Sequence, residues 1–276
     1  MLTVTALSKN LPDGRPILRD IEFTVHRGEF VGVLGASGAG KSLTLRCILG
    51  LTRADSGRAV LETETDDFDL VNARGRRLRE ARRHIGVIFQ GFNLVKRLRV
   101  LDNVMIGRLG GISPWRSWLY GFTDSEAHEA LDALRRVKME HFAERITGTL
   151  SGGEMQRVAI ARAIFQRPAM YMADEPIASL DPTNSIAIMK LLAPLARETP
   201  VLGVFHQPEM TARFCTRVIA IRQGRIVYDG APELSQRQLQ DIYGSELDQV
   251  LRPPAPVLPT DTLPEPEAAV GAASAA

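Results

Sequence analysis

Residues 35–42 read Gly35-Ala36-Ser37-Gly38-Ala39-Gly40-Lys41-Ser42, between an apolar run at 30–34 and a helical pattern that begins at Leu43. The spacing matches G-x-x-x-x-G-K-[ST], the phosphate-binding loop or P-loop. Glycines let the backbone N–H groups of this loop point into one concavity, to which the following helix adds its positive N-terminal end. Lys41 can then reach the β- and γ-phosphates, and the Ser42 hydroxyl can ligate Mg²⁺. The segment predicts a nucleoside triphosphate site, with an ordinary glycine-rich turn as the alternative.

The composition is typical of a globular protein. Of 276 residues, 45% are hydrophobic and 24% are charged, and the net charge of +2 argues neither for nor against a nucleic-acid partner. Cys47 and Cys215 lie far apart in sequence, which argues against a structural disulfide and for a reducing cytosol. We expect no signal peptide, and no stretch approaches the roughly 20 apolar residues that span a bilayer. A function at a membrane would therefore require a partner that holds the chain there.

Strand and helix patterns alternate along most of the chain. Alternating or continuous apolar residues predict strands at 2–6, 20–25, 30–34, 85–89, 169–173, 201–205, 218–221 and 225–228. Helices are expected after the P-loop, at about 154–166 and from Asn184. Such alternation predicts an α/β fold with a parallel sheet covered on both faces.

Two stretches depart from this alternation. Helical patterns dominate 91–150, where Thr123-Asp124-Ser125-Glu126 forms a capping box, and we interpret this stretch as an inserted helical subdomain. Within it Trp115 and Trp118 either dock a partner or pack locally. Residues 253–276 are rich in Pro and Ala and predict a disordered tail.

A cluster of arginines lies between residues 74 and 84. It could contact nucleic acid or anionic lipid, or it could be the solvated face of a helix. No aromatic residues are interleaved for base stacking, which favours the solvated face. We therefore expect no nucleic-acid partner.

Tyr171-Met172-Ala173-Asp174-Glu175 is an apolar strand that ends in two acids. An acid at the end of a strand beside the P-loop strand can hold Mg²⁺, which assigns this role to Asp174. Glu175, one residue later, can polarise the water that attacks the γ-phosphate, as a general base.

Leu150-Ser151-Gly152-Gly153-Glu154 places a serine and two glycines at the start of a predicted helix. This arrangement is a second anion site. A chain with one P-loop does not need a second γ-phosphate site for its own nucleotide. The second site therefore predicts a two-fold dimer that holds two ATP molecules at its interface.

These motifs, with Gln90, Ser179-Leu180-Asp181 and His206, resemble the ATP-binding subunits of ABC transporters over about residues 1–245. The resemblance implies a P-loop NTPase core of mostly parallel sheet, an antiparallel β subdomain and a helical subdomain inserted at about 91–150, followed by a linker and tail at 246–276.

The resemblance also implies roles for individual residues. Gln90 is the Q-loop residue that senses Mg²⁺ and water, and it would share the metal with Ser42 and Asp174. His206 is the switch histidine near the γ-phosphate; it also follows a predicted strand, where α/β sites form.

The resemblance further implies residues that act on the partner copy's ATP, namely Ser151, Gly152, Gly153, Glu154 and Asp181. Leu11 takes the place of the family's adenine-stacking aromatic residue, so the base would be held by apolar contact alone.

Within this family, several stretches are similar to the phosphonate-importer ATPases. They are Gly107–Gly110, Trp115–Ser117, Ala173–Pro182, His206-Gln207, Asp229–Pro232 and Ile242–Gly244. The resemblance implies an ATP-hydrolysing motor of a bacterial importer, held at the cytoplasmic face of the inner membrane by permease subunits and served indirectly by an extracytoplasmic solute-binding protein.

Other functions stay open from sequence. The importer could carry another small nutrient, such as phosphite, another anion or an amino acid. A soluble ABC-type ATPase that acts on nucleic acid or ribosomes usually carries two cassettes or a long coiled coil, whereas this chain has one P-loop and no sustained heptads. A kinase or GTPase is disfavoured by the segment at 150–154.

Overall fold

The computed structural model describes residues 1–111 and 122–251. In this part of the chain the strands are β1 (Leu2–Asn10), β2 (Pro16–Val25), β3 (Phe30–Leu34), β4 (Ser56–Glu62), β5 (Asp67–Asp69), β6 (Ile85–Phe89), β7 (Met170–Asp174), β8 (Val201–Val204), β9 (Arg217–Arg222) and β10 (Arg225–Gly230). The α-helices are α1 (Lys41–Ile48), α2 (Gly75–Arg83), α3 (Val100–Met105), α4 (Asp124–Arg136), α5 (Gly152–Phe165), α6 (Pro182–Leu195), α7 (Pro208–Phe214), α8 (Gln236–Tyr243) and α9 (Leu247–Val250).

The P-loop strand lies inside a six-stranded sheet of order β10-β9-β3-β8-β7-β6. All neighbouring pairs are parallel except the terminal pair β9 and β10, which is antiparallel. Every residue of β3, β7 and β8 is buried, as expected for parallel strands covered on both faces. The predicted α/β fold is therefore confirmed. The expectation that the Asp174 strand lies beside the P-loop strand is wrong, because β8 lies between them.

A second, four-stranded antiparallel sheet has the order β2-β1-β4-β5. Its first two strands extend further than predicted. The pairing of β1 with β2 shifts register between Val4 and Leu7, where Ala6 has φ 48°. A bulge of this kind breaks the apolar–polar alternation while the hydrogen-bonded ladder continues. The alternation therefore predicts a strand shorter than the observed one.

Two hydrophobic cores lie on opposite faces of the six-stranded sheet. Phe30 and Leu34 of the P-loop strand belong to the core shared with α4, α5 and α6. Val31 and Val33 belong to the other core, which includes α1 and the antiparallel sheet. Alternate side chains of a strand point to opposite faces. The short strand β3, which leads into the P-loop, is therefore anchored in both cores.

Helices α3, α4 and α5 pack on one another. The capping box at α4 is present, since Thr123 Oγ1 accepts from the Glu126 N–H and the Glu126 carboxylate accepts from the Thr123 N–H. Trp115, Trp118 and the Pro/Ala-rich tail lie outside the described residues. Within the described ranges, no helix combines the length and apolarity needed to cross a bilayer.

Helix α2 carries the arginine cluster and exposes most of it to solvent, in keeping with the solvated-face interpretation. Arg82 is the exception, since it is partly buried. Its guanidinium donates to the carbonyl oxygens of Leu49 and Gly50 at 3.1 and 2.9 Å. It thereby binds the C-terminal end of α1.

Cys47 of α1 and Cys215 after α7 are both free and buried. Burial raises the pKa of the Cys47 thiol to about 11 and raises that of Cys215 further. No disulfide joins them, as the sequence predicts.

Candidate nucleotide-binding site

The P-loop connects β3 to α1, and two of its glycines lie where a side chain would clash with neighbouring strands. Gly35 has φ 148°, and a Cβ atom there would lie 2.1 Å from the carbonyl oxygen of Ile221. Gly40 has φ 104° and would meet Leu18 Cδ2 at 2.6 Å. The loop is thus pressed against β9 on one side and β2 on the other, which holds its backbone N–H groups in a fixed arrangement.

Lys41 is folded back into the loop. Its side chain is buried, and Nζ donates to the carbonyl oxygens of Gly35 at 2.7 Å and Ala36 at 3.0 Å. Burial lowers the pKa of Lys41, and the nearby carboxylates of Glu175, Glu246 and Asp174 oppose that change. The ammonium group is therefore a preorganised positive charge beside the N–H groups, as a phosphate site requires.

Glu175 and His206 meet just beyond the ends of β7 and β8. Nε2 of His206 lies 2.6 Å from Oε1 of Glu175. A carboxylate only accepts hydrogen bonds, so Nε2 is the donor. Glu175 has φ 52°, a left-handed conformation that is costly for a non-glycine residue and that is often found at functional sites. The pair presents a carboxylate to the space in front of the P-loop.

Asp174 has the properties of a metal ligand. It is buried, and its Oδ1 has no hydrogen-bond partner among the described residues, while Oδ2 lies 4.0 Å from Arg46 Nε. A buried carboxylate oxygen without a partner is costly unless a cation compensates it. Gln90 immediately follows Phe89, the register partner of Asp174. Ser42 lies in the first turn of α1. With the unpartnered Asp174 carboxylate oxygen, these oxygen donors fit Mg²⁺.

The nucleotide itself would have to complete such a metal site. Among the described residues no group of three His, Cys, Asp or Glu side chains could hold a metal. Mg²⁺ commonly uses one or two protein ligands together with substrate phosphates. The carboxylate of Asp174, the hydroxyl of Ser42 and the amide of Gln90 agree with this coordination pattern.

The P-loop borders a cleft of about 360 Å³. Its lining brings together much of the predicted site: Ile17, Ser37, Gly38, Ala39, Gly40, Lys41, Ser42, Leu43, Glu175 and His206. A second hollow of about 380 Å³ shares Ile17 and Gly38 and extends over Pro16, Arg19 and Gln223. Leu11 lines neither hollow; it lies in the turn before β2 and is 36% exposed.

The segment Ser151–Glu154 does not line the P-loop cleft of its own chain. Ser151 caps α5, and Oε2 of Glu154 accepts from the Ser151 N–H at 2.7 Å and from its hydroxyl at 2.8 Å. These two bonds lower the pKa of Glu154. Asp181 similarly caps α6 through the N–H of Asn184 at 3.0 Å. Both sets of predicted residues thus lie at helix starts and away from the first phosphate site.

Sequence reasoning missed one residue at the P-loop. Glu246 accepts a hydrogen bond from the Ser37 N–H at 3.0 Å. No motif marks Glu246. Residues 244–250 are helical, with Leu247 buried, so the ordered chain continues past 245.

The sequence model described as ABC transporter matches residues 18–178, which is more than half of the chain. The chain belongs to the ABC transporter family. This membership agrees with the order of the P-loop, the segment at 150–154 and the acidic pair along the sequence.

Relatives in the ABC transporter family match most of the chain. The phosphonates import ATP-binding protein PhnC of Nitratidesulfovibrio vulgaris is 44% identical over 89% of this chain and 92% of its own length. A protein of the same name from Halalkalibacterium halodurans is 43% identical over 88% of this chain and 99% of its own length.

Solved ABC cassettes have the same fold. A dimeric cassette in a post-hydrolysis state bound to ADP and Pi is 29% identical with a TM-score of 0.70, covering 85% of this chain and 100% of that chain. An ABC transporter cassette in its ADP conformation is 25% identical with a TM-score of 0.74, covering 91% of this chain and 97% of that chain. The P-loop NTPase fold expected from sequence is therefore confirmed.

Proposed function

We propose that this chain is the ATP-hydrolysing subunit of an importer and that the cargo is a phosphonate. The observation that carries the ATPase assignment is the cleft in which Lys41, Glu175 and His206 face one another. The cargo assignment is supported by the relatives named for phosphonate import, which match nearly the full cassette. Cargo does not contact this chain in the proposed assembly, so the cleft carries no information about it.

The residues divide the chemical work. The P-loop N–H groups and Lys41 hold the phosphate chain and counter its charge. Glu175 accepts the proton of the attacking water, and His206 fixes the direction of the carboxylate through their hydrogen bond. Ser42, Asp174 and Gln90 would hold Mg²⁺, which when bound neutralises charge on the β- and γ-phosphates.

A second copy completes the site in this proposal. Ser151, Gly152 and Gly153 lie at the start of α5 and offer backbone N–H groups and a hydroxyl at the positive end of a helix. Because the P-loop cleft of the same chain excludes them, we assign them, with Glu154 and Asp181, to the nucleotide of the partner copy. Dimeric cassettes among the solved relatives support this arrangement.

The other partners follow from the importer assignment. Two copies would act on permease subunits through the surface around Gln90, and a solute-binding protein would deliver cargo from the opposite side of the membrane. The chain would then lie at the cytoplasmic face of the inner membrane, held by the permease. Nucleic acid has no part in this proposal.

The test is ATP hydrolysis by the chain reconstituted with its permease and solute-binding protein. Stimulation by an alkylphosphonate, with no response to phosphate, sulfate or amino acids, is the expected result. Stimulation by a different ligand would support the assignment as an importer ATPase and overturn the assignment of a phosphonate as cargo. Rapid hydrolysis by the isolated chain, indifferent to the membrane complex, would favour a soluble ATPase instead.

A further inference from the structure

A carboxylate from the far end of the described chain lies on the P-loop. Oε2 of Glu246 accepts a hydrogen bond from the Ser37 N–H, with 3.0 Å between the two atoms and 209 positions between the residues. Backbone N–H groups of such loops are the donors that bind phosphate oxygens. On this donor, Glu246 takes the kind of position that an anionic phosphate oxygen would take.

The fold holds Glu246 in this place from both sides. Helix α8 ends at Tyr243, which is buried, and Gly244 turns the chain with φ 55°. The next residues form a tight helical turn that leads into α9, where Leu247 is buried. Glu246 itself is only partly buried. Its carboxylate is therefore presented by an anchored segment and can still leave the loop.

Charge makes this carboxylate a competitor of nucleotide. Glu246 is one of three acids whose field acts on Lys41, together with Glu175 and Asp174. A triphosphate brought to the same N–H groups would add negative charge beside them, and like charges at short range repel. Phosphate and the Glu246 carboxylate cannot both use the Ser37 N–H in the same geometry.

We propose that Glu246 is a built-in competitor that covers the Ser37 N–H until nucleotide phosphates displace it and loosen residues 244–251. The proposal rests on the proposed binding of ATP at this loop. Two consequences follow. The contact weakens nucleotide binding, and it links occupancy of the P-loop to the position of the C-terminal segment.

Full-length chains with Glu246→Gln and Asp248→Asn provide a matched pair. Each removes one negative charge from the same segment, and Asp248 is exposed. ATP affinity is measured by equilibrium titration in EDTA, which prevents hydrolysis. Glu246→Gln should bind ATP roughly two- to fivefold tighter than the unmodified chain, as expected for loss of one partly exposed charged contact. Asp248→Asn should not change the affinity.

Salt provides an internal check on the mechanism. The Debye length falls to about 3 Å at 1 M ionic strength. The difference in affinity between Glu246→Gln and the unmodified chain should therefore shrink as salt is raised. An advantage for Glu246→Gln that stays constant with salt would overturn electrostatic competition.

Hydrogen exchange of residues 244–250 tests displacement of the segment. In the unmodified chain ATP should accelerate exchange there, and Glu246→Gln should show faster exchange before ATP is added. Equal ATP affinity of the two variants, or unchanged protection of the segment with ATP bound, would overturn the proposal while ATP binding stands. Absence of ATP binding in all three chains would overturn the proposed function as well.

Discussion

His206 Nε2 and Glu175 Oε1 are joined by a 2.6 Å hydrogen bond although the two residues lie 31 positions apart. They meet because β7 and β8 are paired in parallel, with Asp174 opposite Val204. The carboxyl ends of neighbouring parallel strands share one sheet edge, which is where α/β proteins place their sites. The bond fixes the direction of a carboxylate that the proposed chemistry needs as a base.

Glu175→Gln should leave ATP binding intact and reduce hydrolysis roughly 10²- to 10⁴-fold, the usual contribution of a general base. The amide keeps the size of the side chain but cannot take a proton from water. Phosphate release measures the rate, and size-exclusion chromatography with ATP should show a trapped dimer. Glu233→Gln, an exposed acid after β10, is the control and should behave as the unmodified chain. Undiminished hydrolysis by Glu175→Gln would remove Glu175 from the role of base.

Lys41→Ala should weaken ATP binding itself, by roughly 10- to 100-fold if a charged hydrogen bond to phosphate is lost. Lys41→Met distinguishes this loss from damage to the loop, because it keeps most of the side-chain volume. Burial already opposes the charged form of Lys41, but methionine cannot donate to the carbonyl oxygens of Gly35 and Ala36, so the melting temperature should fall slightly while the chain stays folded. The two measurements are an ATP titration and thermal unfolding. Normal ATP affinity of Lys41→Met would contradict the assignment.

Asp174→Asn should raise the Mg²⁺ concentration needed for half-maximal ATP hydrolysis. A neutral amide is a weaker ligand for Mg²⁺ than a carboxylate, and Oδ1 of Asp174 has no competing partner among the described residues. The control is the affinity for ATP in EDTA, where no Mg²⁺ is bound. It should not become weaker in Asp174→Asn, since a negative charge has been removed near the phosphates. If the Mg²⁺ dependence of hydrolysis were unchanged, Asp174 would not be a ligand.

Ser151→Ala and Ser235→Ala remove the same kind of helix cap from α5 and α8. Each should lower the free energy of unfolding by about 1 kcal/mol. Only Ser151→Ala should also impair ATP-driven dimerisation, because only that hydroxyl is assigned to the partner's nucleotide. Equilibrium denaturation and light scattering with ATP on Glu175→Gln backgrounds separate the two effects. Equal dimerisation of both variants would limit Ser151 to a capping role.

Features that depend on short stretches of chain could be predicted from sequence. The P-loop, the acids at the end of β7 and the capping box of α4 are set by neighbouring residues, and each has a local physical reason for its spacing. The alternation of strands and helices similarly gave the parallel sheet.

Features that depend on the path of the chain could not be predicted in this way. Nothing local places β8 between β3 and β7, since the order of strands in a doubly wound sheet differs from their order in sequence. The bulge at Ala6 interrupts the apolar–polar alternation, so the second half of β1 does not follow the pattern that predicts a strand. Glu246 reaches Ser37 through the tertiary fold alone, and an isolated acid in a polar turn carries no signal.

The burial of both native cysteines makes the chain a convenient host for probes. A thiol reacts through its thiolate, and the pKa of about 11 at Cys47 and the still higher one at Cys215 leave little thiolate at neutral pH. A cysteine introduced at an exposed position such as Val227, 49% exposed on the edge strand β10, would then be the reactive one. Spin labels or fluorophores could be attached there to follow two copies approaching each other, with the native thiols left in place.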